Sequence, residues 1–209
     1  HRCGARGQQG QSDEEERGCK MSNDFTQRVR DFWFGSKGSD DYGKTRQEWF
    51  VKNPEFDESI REAFLDDVEM ALAGKYDALA TKQMDSLALI VALDQFPRNL
   101  FRDTAKAFVG DKRALELANE ALRMEFDKNL PVAFSMFFYL PFEHSESIDD
   151  QQRCVDMFTA AGNADLLKWA VAHRDIIDRF GRFPHRNAIL GRDSTEEEIA
   201  FLQEPGSSF

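Results

Sequence analysis

The chain has 209 residues, of which 41% are hydrophobic and 31% are charged. A chain of this length can bury a sizeable core within a single domain. The formal net charge of −11 argues against nucleic acid or an anionic membrane as the main partner. Arginines are concentrated locally in the last third of the chain, so a small anionic ligand or an acidic peptide stays compatible with the charge.

No apolar run approaches the roughly 18–20 residues that a bilayer-spanning helix needs. The N-terminus lacks the hydrophobic core of a signal peptide. The three cysteines, Cys3, Cys19 and Cys154, do not have the spacing of metal ligands. We therefore expect a cytoplasmic protein with reduced thiols. The sequence indicates neither a cofactor nor an oligomeric state.

Residues 1–20 are rich in Gly, Gln, Glu and Arg and contain almost no apolar side chain. Such a composition cannot offset the entropy lost on ordering, so we expect a disordered tail that need not be native. Met21 is a candidate natural start. A single α-helical domain is expected over residues 21–209.

Apolar residues recur at helical spacing along the rest of the chain, and no segment shows the alternation of a strand. The runs 87–93 and 132–140 are apolar all round, so their helices should be central. The predicted fold is all-α, a stack of antiparallel helical hairpins. The predicted helices begin at Asn23–Asp24, Asp57, about Lys82, about Asp111, near Pro131, at Ile148, at Asn163 or Asp165 and at Ser194.

Several local details are also predicted. Pro97 should interrupt the helix that begins near residue 82. Ser194 and Glu197 are expected to form a capping box at the start of the last helix. On the helix before it, Trp169 and His173 should share one apolar face with Leu166, Ile177 and Phe180, and Asp175 should pair with Arg179 at i,i+4.

Polar residues gather in three segments, 93–102, 139–146 and 173–192, each of which follows or continues a strongly apolar helix. Surface decoration would have scattered such residues. The segment 96–99 resembles the segment 183–187, since both place Arg and Asn just after a Pro. Two such corners could face each other across a groove, although so short a likeness also arises by chance.

Arginine binds carboxylate or phosphate through a planar fork, so the arginines of these segments are candidates for anion binding. Arg182 and Arg186 flank Pro184 and have no obvious local partner, which favours them as ligand contacts. In the alternative they pair with Asp94 and Glu143 in a structural network. The full set of candidates is Arg98, Arg102, Arg174, Arg179, Arg182, Arg186 and Arg192.

The histidines of these segments are candidates for proton transfer. His144 follows Glu143 at the end of a buried helix, where a carboxyl group has a raised pKa that suits an acid or base. A helix-terminal ion pair is the simpler interpretation of the same two residues. For His173, the simpler interpretation is a core side chain whose hydrogen bonds are satisfied. The predicted catalytic residues are His144, Glu143, His173 and Asp94, and the predicted ligand-binding residues are Arg98, Arg182, His185, Arg186 and Asn187.

A metal could in principle be held by the histidines and carboxylates of these segments. No His-x-x-x-His, His-Glu-x-x-His or Cys-x-x-Cys spacing occurs, so no metal site is predicted. A Gly-rich phosphate loop, a Gly-x-Ser-x-Gly elbow and a dinucleotide-binding fingerprint are absent from the sequence as well.

The three segments, together with 31–35 (Asp-Phe-Trp-Phe-Gly) and 205–209 (Pro-Gly-Ser-Ser-Phe), resemble the bacterial family catalogued as domain of unknown function 924. The resemblance extends over residues 21–209. It implies an all-helical fold of the tetratricopeptide-like class. It supplies no established activity, cofactor or catalytic residue.

Two functions follow from these observations. The first is a small-molecule enzyme or binder, in which arginines hold an anionic ligand and a histidine–carboxylate pair moves a proton. The second is a tetratricopeptide-like adaptor whose arginines bind an acidic peptide or protein. A closed cavity lined by the candidate residues would favour the first, and a long open groove the second. A third interpretation is that the polar segments only lock helices together.

Overall fold

The structure of the chain is a computed structural model that describes residues 24–208. The predicted tail, Met21 and the predicted cap at Asn23 lie outside the described residues, as do Cys3 and Cys19. The division of the chain into a tail and one domain therefore stays a prediction.

The described part of the chain is all-α, as predicted, with no β-strand between residues 24 and 208. Short 3-10 helices at Gln47–Trp49, Asp77–Thr81, Ala105–Phe108 and Pro184–Arg186 join several of the α-helices. The tetratricopeptide-like arrangement stays a prediction. The α-helices are α1 (24–34), α2 (Pro54–Leu72), α3 (Gln83–Asp94), α4 (Phe96–Leu100), α5 (Asp111–Arg123), α6 (Val132–Glu143), α7 (Ile148–Ala161), α8 (Ala164–Phe180) and α9 (Glu196–Phe201).

Helices α3 and α6 form the centre of the molecule. Every residue of α3 from Asp85 to Asp94 is buried, and so is every residue of α6 from Ala133 to Glu143. Helix α3 contacts α2, α4, α5 and α6, while α6 also packs against α7. The prediction that the two uniformly apolar helices are central is confirmed. Both central helices end in acidic residues, and this places carboxyl groups inside the protein.

The core is aromatic, as the abundance of Phe predicts. The ring of Trp33 on α1 stacks on Trp49 with centroids 5.8 Å apart and meets the edges of Phe96 and Phe137 at 5.5 and 5.7 Å. Each such pair stabilises by roughly 0.5–1.5 kcal/mol beyond the burial of its area. These contacts fix α1 against α4 and α6. None of the helices between residues 24 and 208 is both long and apolar enough to cross a bilayer.

Two helix starts differ from the prediction. Helix α2 begins at Pro54 rather than at Asp57, because the side chain of Asn53 caps it by accepting from the backbone N–H groups of Glu55 and Phe56. Pro97 likewise stands in the first turn of α4, where its missing N–H leaves no hydrogen bond unmade.

The capping box of the last helix lies one residue later than predicted. The hydroxyl oxygen of Thr195 accepts from the backbone N–H of Glu198, and the carboxylate of Glu198 accepts from the backbone N–H of Thr195. The predicted pair, Ser194 and Glu197, has the same spacing. Sequence spacing could not separate the two pairs, because either one matches the pattern of the motif.

The buried face of α8 is rotated from the predicted one. Ala170, His173 and Ile177 are buried at i, i+3 and i+7, whereas Trp169 is 52% exposed. The predicted ion pair within α8 is wrong, because Arg179 instead donates to Glu197 at 2.9 Å. Helix α9 therefore meets α8 through charge as well as through packing.

Gly110 brings the start of α5 into contact with the backbone of α3. A Cβ atom added to Gly110 would lie 1.9 Å from the carbonyl oxygen of Leu93. Real Cβ atoms do not approach a backbone oxygen so closely, so any other residue would push the two helices apart. The contact fixes Asp111, the first residue of α5, beside the C-terminal end of α3.

We expect Gly110→Ala to destabilise the fold by about 3 kcal/mol or more, since the clash is with backbone that cannot rotate away. Urea denaturation followed by circular dichroism measures the loss. Gly181→Ala is the matched control: its φ of +68° disfavours a side chain, but no heavy atom lies within 4 Å of the added Cβ. The control should cost about 1 kcal/mol. Equal losses in the two variants would contradict the prediction.

Candidate functional site

The three polar segments converge in the structure. We call the group that they form the polar cluster. It lies where the C-terminal ends of α3 and α6 meet the 3-10 helix after α8. Its members are Asp94, Arg98, Asp111, Glu143, His144, His173, His185 and Arg186.

Asp94 is the most buried charged group of the cluster, with 1% of its side chain exposed. One of its carboxylate oxygens accepts from Nδ1 of His144 at 2.8 Å, and the other accepts from the amide of Gln95 at 2.6 Å. The guanidinium of Arg98 lies 3.5 Å away. Burial alone would raise the pKa of Asp94, but His144 and Arg98 outweigh burial and hold the pKa below its usual range. Asp94 is therefore an ionised carboxylate inside the protein.

The hydrogen bond to Asp94 fixes the tautomer of His144. Because the ionised carboxylate can only accept, Nδ1 of His144 must carry the proton, and Nε2 is the basic nitrogen. Burial, followed by the charge of Arg98, lowers the pKa of His144, while Asp94 opposes the shift. The imidazole is thus neutral at neutral pH and can accept a proton at Nε2.

Asp111 joins two arginines that come from different segments. Arg98 donates to both of its carboxylate oxygens, at 2.6 and 3.0 Å. Nη1 of Arg186 lies 3.5 Å from Oδ2 of Asp111, a distance too long for a good hydrogen bond. The position of Asp111 follows from the close approach at Gly110. Asp111 is thereby committed to Arg98 and only partly compensates Arg186.

Arg186 is the least compensated cation of the cluster. Its side chain is 9% exposed, and Nη1 donates to the backbone carbonyl of His144 at 3.1 Å. Nε is buried and has no hydrogen-bond partner among residues 24–208. The centre of the guanidinium lies 4.5 Å from the ring centroids of both Phe108 and Phe183. Burial, and then the charge of Arg98, lowers the pKa of Arg186 to about 10.

The other candidate arginines are all satisfied by carboxylates. Each donates a hydrogen bond of 2.5–2.9 Å to an acidic side chain, so a ligand would have to displace that partner. Arg186 has no such bond. The pairs are Arg98–Asp111, Arg102–Asp57, Arg174–Asp175, Arg179–Glu197, Arg182–Glu198 and Arg192–Glu146.

Glu143 is buried beside Asp94 without a cation. Burial, followed by the negative charge of Asp94, raises the pKa of Glu143 to about 8, so this carboxyl group keeps its proton at neutral pH. The thiol of Cys154 lies 3.9 Å from one of its oxygens, and Nδ1 of His173 lies 3.6 Å from the other. Burial also raises the pKa of Cys154. This side of the cluster is therefore uncharged and unsuited to a thiolate nucleophile.

Two further histidines of the cluster are neutral at physiological pH. Nδ1 of His173 donates to the carbonyl of Trp169 at 2.9 Å, and burial lowers the pKa of His173 to about 3. Burial, and then the charge of Arg186, lowers the pKa of His185 to about 4. The interpretation of His173 as a satisfied core side chain agrees with its burial and its hydrogen bond.

The structure does not bring two of the predicted ligand-binding residues into the cluster. Arg182 donates to both carboxylate oxygens of Glu198, at 2.6 and 2.8 Å, so the expectation that it lacks a partner is wrong. The amide of Asn187 donates to Ser194 and accepts from Arg192. The predicted alternative, in which Arg182 pairs with Asp94 or Glu143, is wrong for the same reason.

Sequence reasoning did not identify three residues that shape the cluster. Asp111 looks like an ordinary acidic residue at a helix start. Gln95 stands beside Asp94 but carries no charge that marks it. Gln151 on α7 is fully buried, and its amide nitrogen donates to the carbonyls of Glu143 and Ser145 at 2.6 and 2.7 Å. In the sequence, the one sign of the role of Gln151 is that a Gln lies on the otherwise apolar face of a helix.

Solvent reaches the cluster along one edge. The side chains of Arg98, Asp111 and His144 are 18, 20 and 15% exposed there. Two surface cavities of about 380 and 280 Å³ lie elsewhere, beside residues 47–54 and between α1 and Phe134, and no cluster residue lines them. Between residues 24 and 208, no three His, Cys, Asp or Glu side chains are grouped so that they could hold a metal ion.

We expect Glu143→Gln to stabilise the protein increasingly as pH rises from about 4.5 to 8. In the folded protein Glu143 keeps its proton up to about pH 8, whereas in the unfolded chain it releases the proton near its ordinary pKa of 4.5. The unfolding free energy of the parent protein therefore falls as pH rises through this window. The amide has no proton to lose. The difference in unfolding free energy should grow by at most about 1.4 kcal/mol per pH unit.

Urea denaturation at several pH values measures this difference. Glu62→Gln, on the exposed face of α2, is the control and should show no such trend. A pH-independent effect of Glu143→Gln would mean that Glu143 is ionised in the folded protein.

We expect the imidazole of His144 to carry its proton on Nδ1 and to have a lower pKa still in Asp94→Asn. The charge of Asp94 raises the pKa of His144 against burial, and the amide removes that charge. Imidazole ¹⁵N chemical shifts recorded against pH report both quantities. Asp178→Asn, exposed on α8, should leave His144 unchanged. A proton on Nε2, or a pKa that does not fall, would contradict the geometry.

Comparisons with known proteins agree with this picture of the fold. The model of a family described as bacterial proteins of unknown function (DUF924) matches residues 29–206. A solved structure of a protein of unknown function from Agrobacterium tumefaciens is similar, with 38% sequence identity and a TM-score of 0.77. The similarity covers 88% of this chain and 98% of that one. None of the curated proteins matches the chain. The family model spans most of the chain, including all three polar segments, and the chain therefore belongs to the DUF924 family.

Proposed function

We propose that the protein binds a small anionic molecule at Arg186 and exchanges a proton with it through Nε2 of His144. The observation that carries this proposal is the incomplete compensation of Arg186. It is a buried guanidinium whose Nε has no partner and whose nearest carboxylate oxygen is 3.5 Å away.

A buried charge without a hydrogen-bonded partner costs several kcal/mol, and proteins that keep such a group commonly use it. An anion that accepted from Nε would satisfy the nitrogen and neutralise the charge together. This arrangement is strong because the hydrogen bonds are charge-assisted and lie in a medium of low dielectric constant.

The position of His144 supports the proton-transfer part of the proposal. The backbone carbonyl of His144 accepts from Arg186, so the two residues are in contact, and the proposal places the ligand between Nε of Arg186 and Nε2 of His144. Asp94 orients the imidazole and stabilises the imidazolium that forms when Nε2 takes up a proton. Glu143, which keeps its own proton at neutral pH, does not compete for this role.

Burial favours a small molecule over an acidic peptide. An adaptor surface displays its arginines along an open groove, whereas Arg186 is 9% exposed and the exposed arginines of α8 are already paired with acidic side chains. A molecule of a few heavy atoms can enter at the exposed edge of the cluster, beside Arg98 and His144.

A thermal-shift screen tests the binding. We expect at least one of acetate, pentanoate, citrate, phosphate and pyrophosphate, each compared with sodium chloride at equal ionic strength, to raise Tm by about 2–5 °C at ten times its Kd. Arg186→Gln should abolish the rise, because it removes the charge and the fork while keeping a polar side chain.

Arg182→Gln is the matched control, since Arg182 is paired with Glu198 outside the cluster. It should respond to the anion as the parent does. Equal rises in Arg186→Gln and the parent, or no rise with any of the five anions, would contradict the proposal.

A further inference from the structure

We propose that the anion is a monocarboxylate and that the site discriminates against phosphate and other tetrahedral anions. This inference rests on the function proposed above and names the class of ligand for the same site. It is carried by the carboxylates around Arg186, which have other partners, and by the two phenyl rings beside its guanidinium.

The carboxylates around Arg186 already have other partners before a ligand binds. The carboxylate of Asp111 accepts from both Nη nitrogens of Arg98. The carboxylate of Glu146 likewise accepts two hydrogen bonds from Arg192, at 2.7 and 2.9 Å. Asp94 is held by His144 and Gln95 and by the nearby charge of Arg98. The cations that take part are Arg98, Arg186 and Arg192, and the carboxylates are Asp94, Asp111 and Glu146.

Because these carboxylates are bonded to other groups, Arg186 is the one cation of the polar cluster left for a ligand and offers the attraction of a single charge. Asp111, Glu146 and Asp94 all act electrostatically on Arg186. A ligand with two negative charges would place the second one among these carboxylates without a cation to pair with it. At the low effective dielectric constant of a buried site, that repulsion is weakly screened. A monoanion avoids it.

The shape of the cover over Arg186 favours a planar anion. The ring centroids of Phe108 and Phe183 each lie 4.5 Å from the central carbon of the guanidinium, so apolar rings border the group, and an anion bonds to it at its N–H edge. A carboxylate presents two oxygens that can lie in the guanidinium plane and form a fork-to-fork pair. A tetrahedral anion carries further oxygens out of this plane, and these would lose their water beside phenyl rings that donate no hydrogen bond.

Three anions of similar length separate charge from shape: pentanoate, butanesulfonate and propyl phosphate. The first two are monoanions, planar and tetrahedral respectively, and the third is mainly a dianion at pH 7.5 because its second pKa is about 6. Titration of the full chain, followed through the ¹H–¹⁵N signal of the Arg186 Nε, gives Kd for each. We expect pentanoate to bind at least about tenfold more tightly than propyl phosphate, with butanesulfonate between them.

Pentanamide, which lacks the charge, should not shift the Nε signal. Arg186→Gln removes that signal, so binding to this variant is measured by the rise in Tm at the same pentanoate concentration, and the rise should be lost. Propyl phosphate binding as tightly as pentanoate would overturn the monocarboxylate inference and leave the proposed anion site intact. Butanesulfonate equal to pentanoate would overturn the choice of a carboxylate. Failure of all three anions to bind, or unchanged binding in Arg186→Gln, would overturn the proposed function itself.

Discussion

The compensation of one buried carboxylate governs how the central helices of this protein meet. Asp94 ends one of the two buried central helices, with 1% of its side chain exposed, and an isolated ion there would be too costly to keep. Its partners come from three places: Gln95 beside it, Arg98 on α4 and His144 after α6. The corner between α3 and α4 must therefore face the end of α6. The same requirement that stabilises the fold aligns an imidazole with a carboxylate.

Arg186 stands in contrast to this well-compensated centre. The fold supplies it with one backbone carbonyl, two phenyl rings and a carboxylate at 3.5 Å that already serves Arg98. Natural proteins depart from full satisfaction of polar groups mainly where function requires it. The stabilised pair, Asp94 and His144, and the unsatisfied cation are neighbours. A basic imidazole nitrogen and an incompletely compensated guanidinium thus belong to one polar cluster.

Much of the fold followed from the sequence, because helical periodicity and uniformly apolar runs report burial directly. The convergence of the polar segments also followed, since two of them lie at the ends of the uniformly apolar helices α3 and α6. The choice between Arg182 and Arg186 did not follow: both flank the same corner, and only packing decides that Arg182 meets Glu198. Asp111 was missed because acidic residues at helix starts are common for reasons of local electrostatics. Trp169 was misplaced because one residue of helix rotation moves a side chain by about 100°.

The contact at Gly110 has a consequence for how this chain tolerates change. Gly110 and Leu93 each immediately precede a carboxylate of the cluster, so a backbone-to-backbone contact fixes the separation of Asp94 from Asp111. Substitutions that alter side-chain volumes in the aromatic core can shift helices by small amounts, but they do not act on this contact. The spacing between Asp94 and Asp111 therefore does not depend on small helix shifts elsewhere in the core. At Gly110, between α4 and α5, the fold admits only the hydrogen atom of a glycine.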